Sequence, residues 1–121
     1  ESIVKFLDVT NTGSLDFTYV MESTATTSSS LNTDATNGLQ LEIKHCTAAW
    51  SGNDTCAGGT ASTKYTGRLG PMSGSPVNLG TVTAGAGNVA HLQIRVTLPS
   101  SAGSLTGQTS TLQFTWTATN T

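Results

Sequence analysis

The sequence contains few charged residues, few aromatic residues and only two histidines, and these shortages restrict the class of protein. Charged residues make up 10% of the chain, against about 25% in an average globular protein. Serine, threonine, asparagine and glycine must therefore supply most of the water-facing surface, which suits strands far better than helices. A helical bundle is therefore not expected.

Positive charge is also scarce, because lysine and arginine together number 5 and the formal net charge is -2. Such a chain lacks the clustered phosphate contacts that nucleic-acid affinity requires, so DNA and RNA are not expected partners. No segment approaches the roughly 20 consecutive apolar residues that cross a bilayer, so no membrane span is predicted. Because Glu1 begins directly in strand-like sequence, we expect any export signal to have been removed or left out.

The chain has two cysteines, Cys46 and Cys56, in a segment rich in glycine, threonine and asparagine. Their spacing is far from the C-x-x-C of a redox pair, and no third cysteine or nearby ligand pair indicates a metal site. The simplest interpretation is a disulfide, which predicts an oxidising, extracellular compartment. Closing so short a loop stabilises a fold by about 2.5 to 3 kcal/mol in the chain-entropy model.

Apolar and polar residues alternate along much of the chain, as they do in strands with one buried face. The alternation is clearest in four segments, which are Leu15–Met21, Leu39–Lys44, Ala90–Leu98 and Thr111–Ala118. Weaker alternation predicts three more strands, at Ser2–Val9, Ser62–Leu69 and Val77–Val82. No segment has the 3.6-residue period of an amphipathic helix.

A chain of 121 residues is expected to form one domain, spanning residues 1–121. Turn sequences such as Asn11-Thr12-Gly13 and Ala84-Gly85-Ala86-Gly87 separate the predicted strands. Three polar segments are predicted to be connections, at Ser23–Gly38, Trp50–Ala61 and Ser100–Gln108. About seven strands in this arrangement predict an all-β fold, an antiparallel β-sandwich of jelly-roll type.

No catalytic motif is present. A zinc hydrolase motif such as H-E-x-x-H requires two histidines at helical spacing, whereas His45 precedes Cys46 and His91 lies on the polar face of a predicted strand. No serine lies in a G-x-S-x-G motif, and no pair of carboxylates suited to glycoside hydrolysis can be identified. We therefore expect a protein that is not an enzyme and that needs no metal or cofactor.

Trp50 lies in the segment between the two cysteines and belongs to none of the predicted strands. Two interpretations remain open for it. The ring contacts a sugar or another protein at the surface, or it packs against the disulfide.

Several segments follow one another in an order that is found in a known family. Near the N-terminus, Val9–Asp16 has the pattern of a strand, an Asn-x-Gly turn and a returning strand. Near the C-terminus, Val96-Thr97-Leu98-Pro99 is followed by Gly107-Gln108 and then by Leu112–Asn120. These segments resemble the opening hairpin and the closing sequence of the TasA/camelysin family of secreted biofilm-matrix fibre proteins, which has relatives among archaeal bundling pili. Tyr65–Leu69 and Leu79–Gly85 fit the middle of that family, so the resemblance covers nearly the whole chain.

The resemblance implies a structural subunit of an extracellular filament or biofilm-matrix fibre, located at the cell surface or in the matrix. In that family one subunit donates an N-terminal segment to the sheet of its neighbour, so the expected partner is a second copy of the chain. Here the chain starts at or just after the turn that follows the donated segment. We therefore expect either a longer N-terminus or a short donor at Glu1–Phe6, with Ile3, Val4 and Phe6 as the intersubunit contact.

Two alternative functions belong to other classes. A secreted adhesin or carbohydrate-binding module would use exposed aromatic residues such as Trp50. A metallopeptidase, a label given to some members of the family, would need His45 or His91 as zinc ligands.

Overall fold

The computed structural model describes residues 2–69, 74–85 and 88–120 and contains two antiparallel β-sheets packed face to face. This architecture confirms the predicted all-β sandwich and all seven predicted strands. The strands are β1 (Ser2–Thr10), β2 (Phe17–Thr27), β3 (Gln40–Cys46), β4 (Ala61–Arg68), β5 (Val77–Val82), β6 (Val89–Thr97) and β7 (Thr111–Asn120).

The larger sheet, sheet A, has four strands in the order β1-β6-β3-β4. The smaller one, sheet B, has three in the order β5-β2-β7. Strand β1 pairs with β6 in an unbroken register from Ser2 opposite Thr97 to Thr10 opposite Val89. Every neighbouring pair is antiparallel.

The core lies between the two sheets and consists of the side chains that the alternation placed on one face of each strand. Its fully buried members include Met21, Leu41, Ile43 and Leu92. Tyr19 is also in the core, and burial raises the pKa of its hydroxyl to about 12. The core therefore follows the period-two pattern of the sequence.

The start and end of β2 differ from the prediction. The strand begins at Phe17, and Leu15 lies in the preceding turn with 57% of its surface exposed. It continues to Thr27, into the polar segment predicted to be a connection, because this part pairs with the N-terminal half of β7. Ser23 is buried within it, and its hydroxyl donates a hydrogen bond to the carbonyl of Leu69. At this position a hydrogen-bonded serine therefore takes the place of an apolar side chain in the core.

Two of the predicted connections contain short helices. A single α-helical turn, α1, covers Ser30–Thr33 and begins with a capping box between Ser29 and Asn32. A 3-10 helix covers Ser100–Leu105 after Pro99. The predicted turn at residues 84–87 lies partly outside the described residues.

Candidate functional site

The two long sides of the sandwich are built differently. On one side β4 of sheet A contacts β5 of sheet B, and Leu69, which follows β4, is almost completely buried. On the other side the edge strands are β1 and β7, and an apolar groove separates them. We call these the closed side and the open side.

The groove has a volume of about 500 Å³, which is within the range of specific binding sites. Side chains from both sheets and from the residue before β3 line it. The described lining residues are Ile3, Lys5, Phe6, Leu7, Leu39, Ile94, Val96, Leu112, Phe114 and Trp116. Nearly all of them are apolar, so the groove leaves part of the hydrophobic core uncovered.

Both strands that border the groove have a free backbone edge among the described residues. Strand β1 pairs only with β6, and β7 pairs only with β2. A free edge presents unpaired N–H and C=O groups that can accept a further strand. An apolar groove bordered by two such edges has the geometry that binds an extended peptide by β-augmentation.

Two polar groups stand out in the groove wall. Lys5 is the only charged residue among the described lining residues, and it makes no ion pair within the described parts of the chain. The indole N–H of Trp116 is buried and has no hydrogen-bond partner in the same parts of the chain. Both groups are hydrogen-bond donors. They can bind a carboxylate or carbonyl oxygen in the groove, and neither can accept a hydrogen bond.

The outer face of sheet A carries the segment between the cysteines. Cys46 and Cys56 form the predicted disulfide, with their Cα atoms 5.8 Å apart. The loop lies against Gln93 of β6, whose side chain is completely buried and accepts a hydrogen bond from the backbone N–H of Asp54. The disulfide therefore holds a loop on the sheet face that is opposite the core.

A network of charged groups centred on Asp54 reinforces this attachment. The carboxylate accepts hydrogen bonds from Gln93 and Lys44, each at 3.0 Å, and it also pairs with Arg95. The bonds from Gln93 and then Lys44 are the main causes that lower the pKa of Asp54 below its ordinary value of 3.8. Asp54 has a positive φ of 59°, a conformation that non-glycine residues rarely adopt, so these contacts hold a strained turn in place.

Trp50 lies partly buried in the same loop. Its indole N–H donates a hydrogen bond of 3.0 Å to the carbonyl of His91, and its ring lies 6.4 Å from that of Phe6. The ring therefore packs on sheet A through Phe6. The predicted contact of Trp50 with a sugar or another protein stays a prediction.

The three residues predicted to form the intersubunit contact lie on different faces of β1. Ile3 is in the groove and is 63% exposed. Val4 is on the opposite face, which is the outer face of sheet A. Phe6 packs beside Trp50 on that outer face and also reaches the rim of the groove. Glu1, the first residue of the predicted short donor, lies outside the described residues.

The two histidines are not brought together as a metal site. His45 lies at one end of the sandwich and lines a small cavity of about 110 Å³ with residues of β5 and β6. Burial is the main cause that lowers the pKa of His45 below 6.5. The side chain of His91 lies on the outer face of sheet A, 2.8 Å from Asp8. Among the described residues, no group of three or more histidine, cysteine, aspartate or glutamate side chains is placed to hold a metal ion.

The alternation in the sequence does not locate the groove, although its lining residues lie in the predicted strands. Leu112, Phe114 and Trp116 alternate on one face of β7, which the pattern predicts to be buried. The absence of charged residues and proline from β7 is a partial signal only, because β5 at the other edge of the same sheet also lacks them. Which side of the sandwich stays open, however, depends on the strand order, and the sequence pattern does not contain that order.

Comparison with protein-family models, curated proteins and solved structures finds no match to this chain. The resemblance to the TasA/camelysin family therefore stays a prediction. Within the described residues, none of the helices has the length and apolar character needed to cross a membrane.

Proposed function

We propose that this protein is a structural subunit of an extracellular filament, such as a biofilm-matrix fibre, and that subunits join by β-augmentation. The observation that carries the proposal is the apolar groove between β1 and β7, which is bordered by two free strand edges. An extended segment of a second copy fills the groove and adds its backbone to one of these edges. The contact covers apolar side chains that are otherwise partly in water, chiefly Ile3, Leu112 and Phe114.

A filament follows if the donated segment and the groove are different surfaces of the subunit. Such a contact is heterologous, so each added copy presents a new free groove and growth does not close on itself. The disulfide supports an extracellular setting, since disulfides persist in oxidising compartments. The low charge of the chain suits a densely paired assembly, because few like charges oppose close packing.

Electron microscopy of the purified protein at increasing concentration tests the proposal, with light scattering to follow assembly. We expect unbranched filaments above a threshold concentration. Ile3→Lys places a second charge in the groove at a residue that is already 63% exposed, so it should prevent filaments while leaving the monomer folded. Circular dichroism and thermal unfolding check that the variant monomer is folded.

Two substitutions at neighbouring residues of β7 distinguish an effect in the groove from an effect on the outer face of sheet B. Leu112→Lys places a charge in the groove, whereas Gln113→Lys places one at the next, exposed residue, which alternates to the outer face of sheet B. We expect Leu112→Lys to abolish filaments and Gln113→Lys to retain them. Discrete monomers of the unmodified protein at every concentration would contradict the proposal, and so would filaments that form equally well with Ile3→Lys and Leu112→Lys.

A further inference from the structure

The side chains that line the groove restrict the class of small molecule that it can bind. The described lining includes no carboxylate, amide or hydroxyl group, and all of its members except Lys5 are apolar or aromatic. A sugar or a nucleotide needs several hydrogen-bonding partners and has few on such walls. A molecule with a hydrocarbon body and a single polar end matches them.

Lys5 determines the charge of that polar end. Its side chain lies on the groove face of β1, is exposed to solvent and forms no ion pair within the described parts of the chain. Because the described lining has no second charged side chain, the groove offers one unbalanced positive charge where it meets the solvent. This ammonium group attracts an anionic head group and repels a cationic one.

The two walls set the length of the hydrocarbon. The lining covers residues 3–7 of β1 and residues 112–116 of β7, so each wall rises over four residue steps, which is about 13 Å. Since each carbon–carbon bond of about 1.5 Å advances an extended chain by about 1.3 Å, roughly ten carbons span this distance. Lys5 is the middle residue of its wall, and its flexible four-carbon stem lets the ammonium group reach toward either end.

We propose that the groove binds one free medium-chain carboxylate of about ten carbons, with its hydrocarbon chain between β1 and β7 and its carboxylate paired with Lys5. The buried chain supplies most of the affinity and the ion pair supplies the selectivity, because an exposed ion pair contributes little by itself. This binding does not depend on the proposed function. Only its consequence does, which is that the carboxylate and a donated strand would compete for the same groove.

Calorimetry with two ligands of equal chain length tests the selectivity for the head group. Decanoate and decylammonium are titrated at low ionic strength into the monomeric protein, below the concentrations at which they form micelles. We expect decanoate to bind about fivefold more tightly, since the ion pair with Lys5 is exposed to solvent. The net charge of the protein is -2, so attraction to the molecule as a whole would favour decylammonium instead.

Butanoate tests the contribution of the hydrocarbon chain. It has the same carboxylate as decanoate but lacks six of its methylene groups. Because the lost groups no longer leave water, we expect butanoate to bind about a hundredfold or more weakly than decanoate.

Two variants assign the selectivity to Lys5. Lys5→Met keeps an apolar stem and should remove the preference for decanoate over decylammonium. Lys64→Met makes the same change in net charge at an exposed residue of β4 and should leave the preference as it is. Methyl NMR locates the hydrocarbon chain. Decanoate should shift the resonances of Ile3 and Leu112 in the groove but not those of Leu15, an exposed leucine outside it.

Four results would each overturn this inference. They are no binding of decanoate below its micelle concentration, binding of decylammonium or butanoate that is as tight as that of decanoate, a preference that is unchanged in Lys5→Met, and shifts confined to methyl groups outside the groove. These results are distinguishable from failure of the proposed function. If the protein forms no filaments but binds decanoate with the expected selectivity, the filament proposal fails and the ligand site stands. If filaments form and are lost in Ile3→Lys but decanoate does not bind, the opposite holds.

Discussion

Both edge strands of the closed side have a register shift within their length, whereas those of the open side pair regularly over nearly their whole length. Strand β4 has a register shift opposite Ile43 and Lys44, and β5 has one opposite Tyr19 and Val20, next to Gly80 with a φ of 107°. On the open side, β1 follows β6 without a shift, and the one shift beside β7 lies near its N-terminal end. Bulges and glycines bend an edge strand away from intruding strands.

The difference agrees with the proposed function, in which one side of the molecule is protected against strand addition and the other accepts a strand. The closed side combines bulged edges with direct contact between the sheets. The open side combines regular edges with apolar side chains that no described residue covers. A protein that functioned as a monomer would gain from protecting both sides in the same way, since an exposed regular edge beside an apolar patch favours aggregation.

The largest expected effect on stability comes from truncating a leucine, and one leucine on each side of the sandwich allows the two sides to be compared. Leu69→Ala on the closed side removes a side chain that is 1% exposed and should lower the free energy of unfolding by about 3 kcal/mol. Leu112→Ala in the groove removes a partly buried side chain and should lower the free energy of unfolding by about 1 kcal/mol. Urea unfolding of the monomers measures both. Equal losses would mean that the open side is as well packed as the closed side.

The disulfide gives the next largest effect. Replacing both Cys46 and Cys56 by alanine should lower the free energy of unfolding by about 2.5 to 3 kcal/mol, because the unfolded chain regains the freedom of the loop. Filament formation by the folded variant should persist, since the loop lies on the outer face of sheet A. If the folded double variant formed no filaments, the loop between the cysteines would contribute to the surface through which subunits join.

Asn11 tests how firmly one end of β1 is attached. Its side-chain amide is buried and donates hydrogen bonds to the carbonyls of Leu15 and Val82, and its carbonyl oxygen accepts one from Gly13. Asn11→Ala should lower the free energy of unfolding by about 2 kcal/mol, because the turn loses three hydrogen bonds, one of them to the buried carbonyl of Val82. Hydrogen exchange should also become faster along β1.

The matched control for Asn11 is Asn53, an exposed residue in the loop between the cysteines. Asn53→Ala should leave unfolding and β1 exchange nearly unchanged. If Asn11→Ala destabilises the fold but leaves exchange in β1 unaltered, Asn11 holds only the turn and does not fix the strand beside the groove.

The smallest expected effect concerns acid. Because the pKa of Asp54 is lowered in the folded protein, its contribution to stability is present above pH 3.8 and is lost as the pH falls through the lower folded value. Below pH 3.8 the loop should therefore loosen while the core remains folded. Fluorescence of Trp50 in a Trp116→Phe background measures this, and Asp54→Asn should reduce the acid transition. If Asp54→Asn left the acid transition unchanged, other carboxylates would be its cause.

Much of the fold was predictable from the sequence because alternation and turn residues act locally. All seven strands and the disulfide were predicted, and the inward faces of β3 and β6 were read directly from Leu41, Ile43, Leu92 and Ile94. The extension of β2 past Met21 was missed, because Ser23 and the threonines that follow are placed in a strand by pairing with β7 and not by their own hydrophobicity.

The candidate site was less predictable because it depends on contacts between distant parts of the chain. Ile3 was identified as an unusual apolar residue near the start of the chain, but its position opposite β7 follows only from the strand order. The same holds for Phe6, whose exposed ring is accounted for by Trp50, more than forty residues away. Periodicity identifies which face of a strand is apolar, but not which neighbour is missing.

Lys5 has a consequence for the free monomer. Its ammonium group lies on the groove face of an edge strand, so any strand that enters the groove must either pair with this charge or remove it from water. One lysine therefore makes an otherwise apolar surface less adhesive toward unrelated apolar segments.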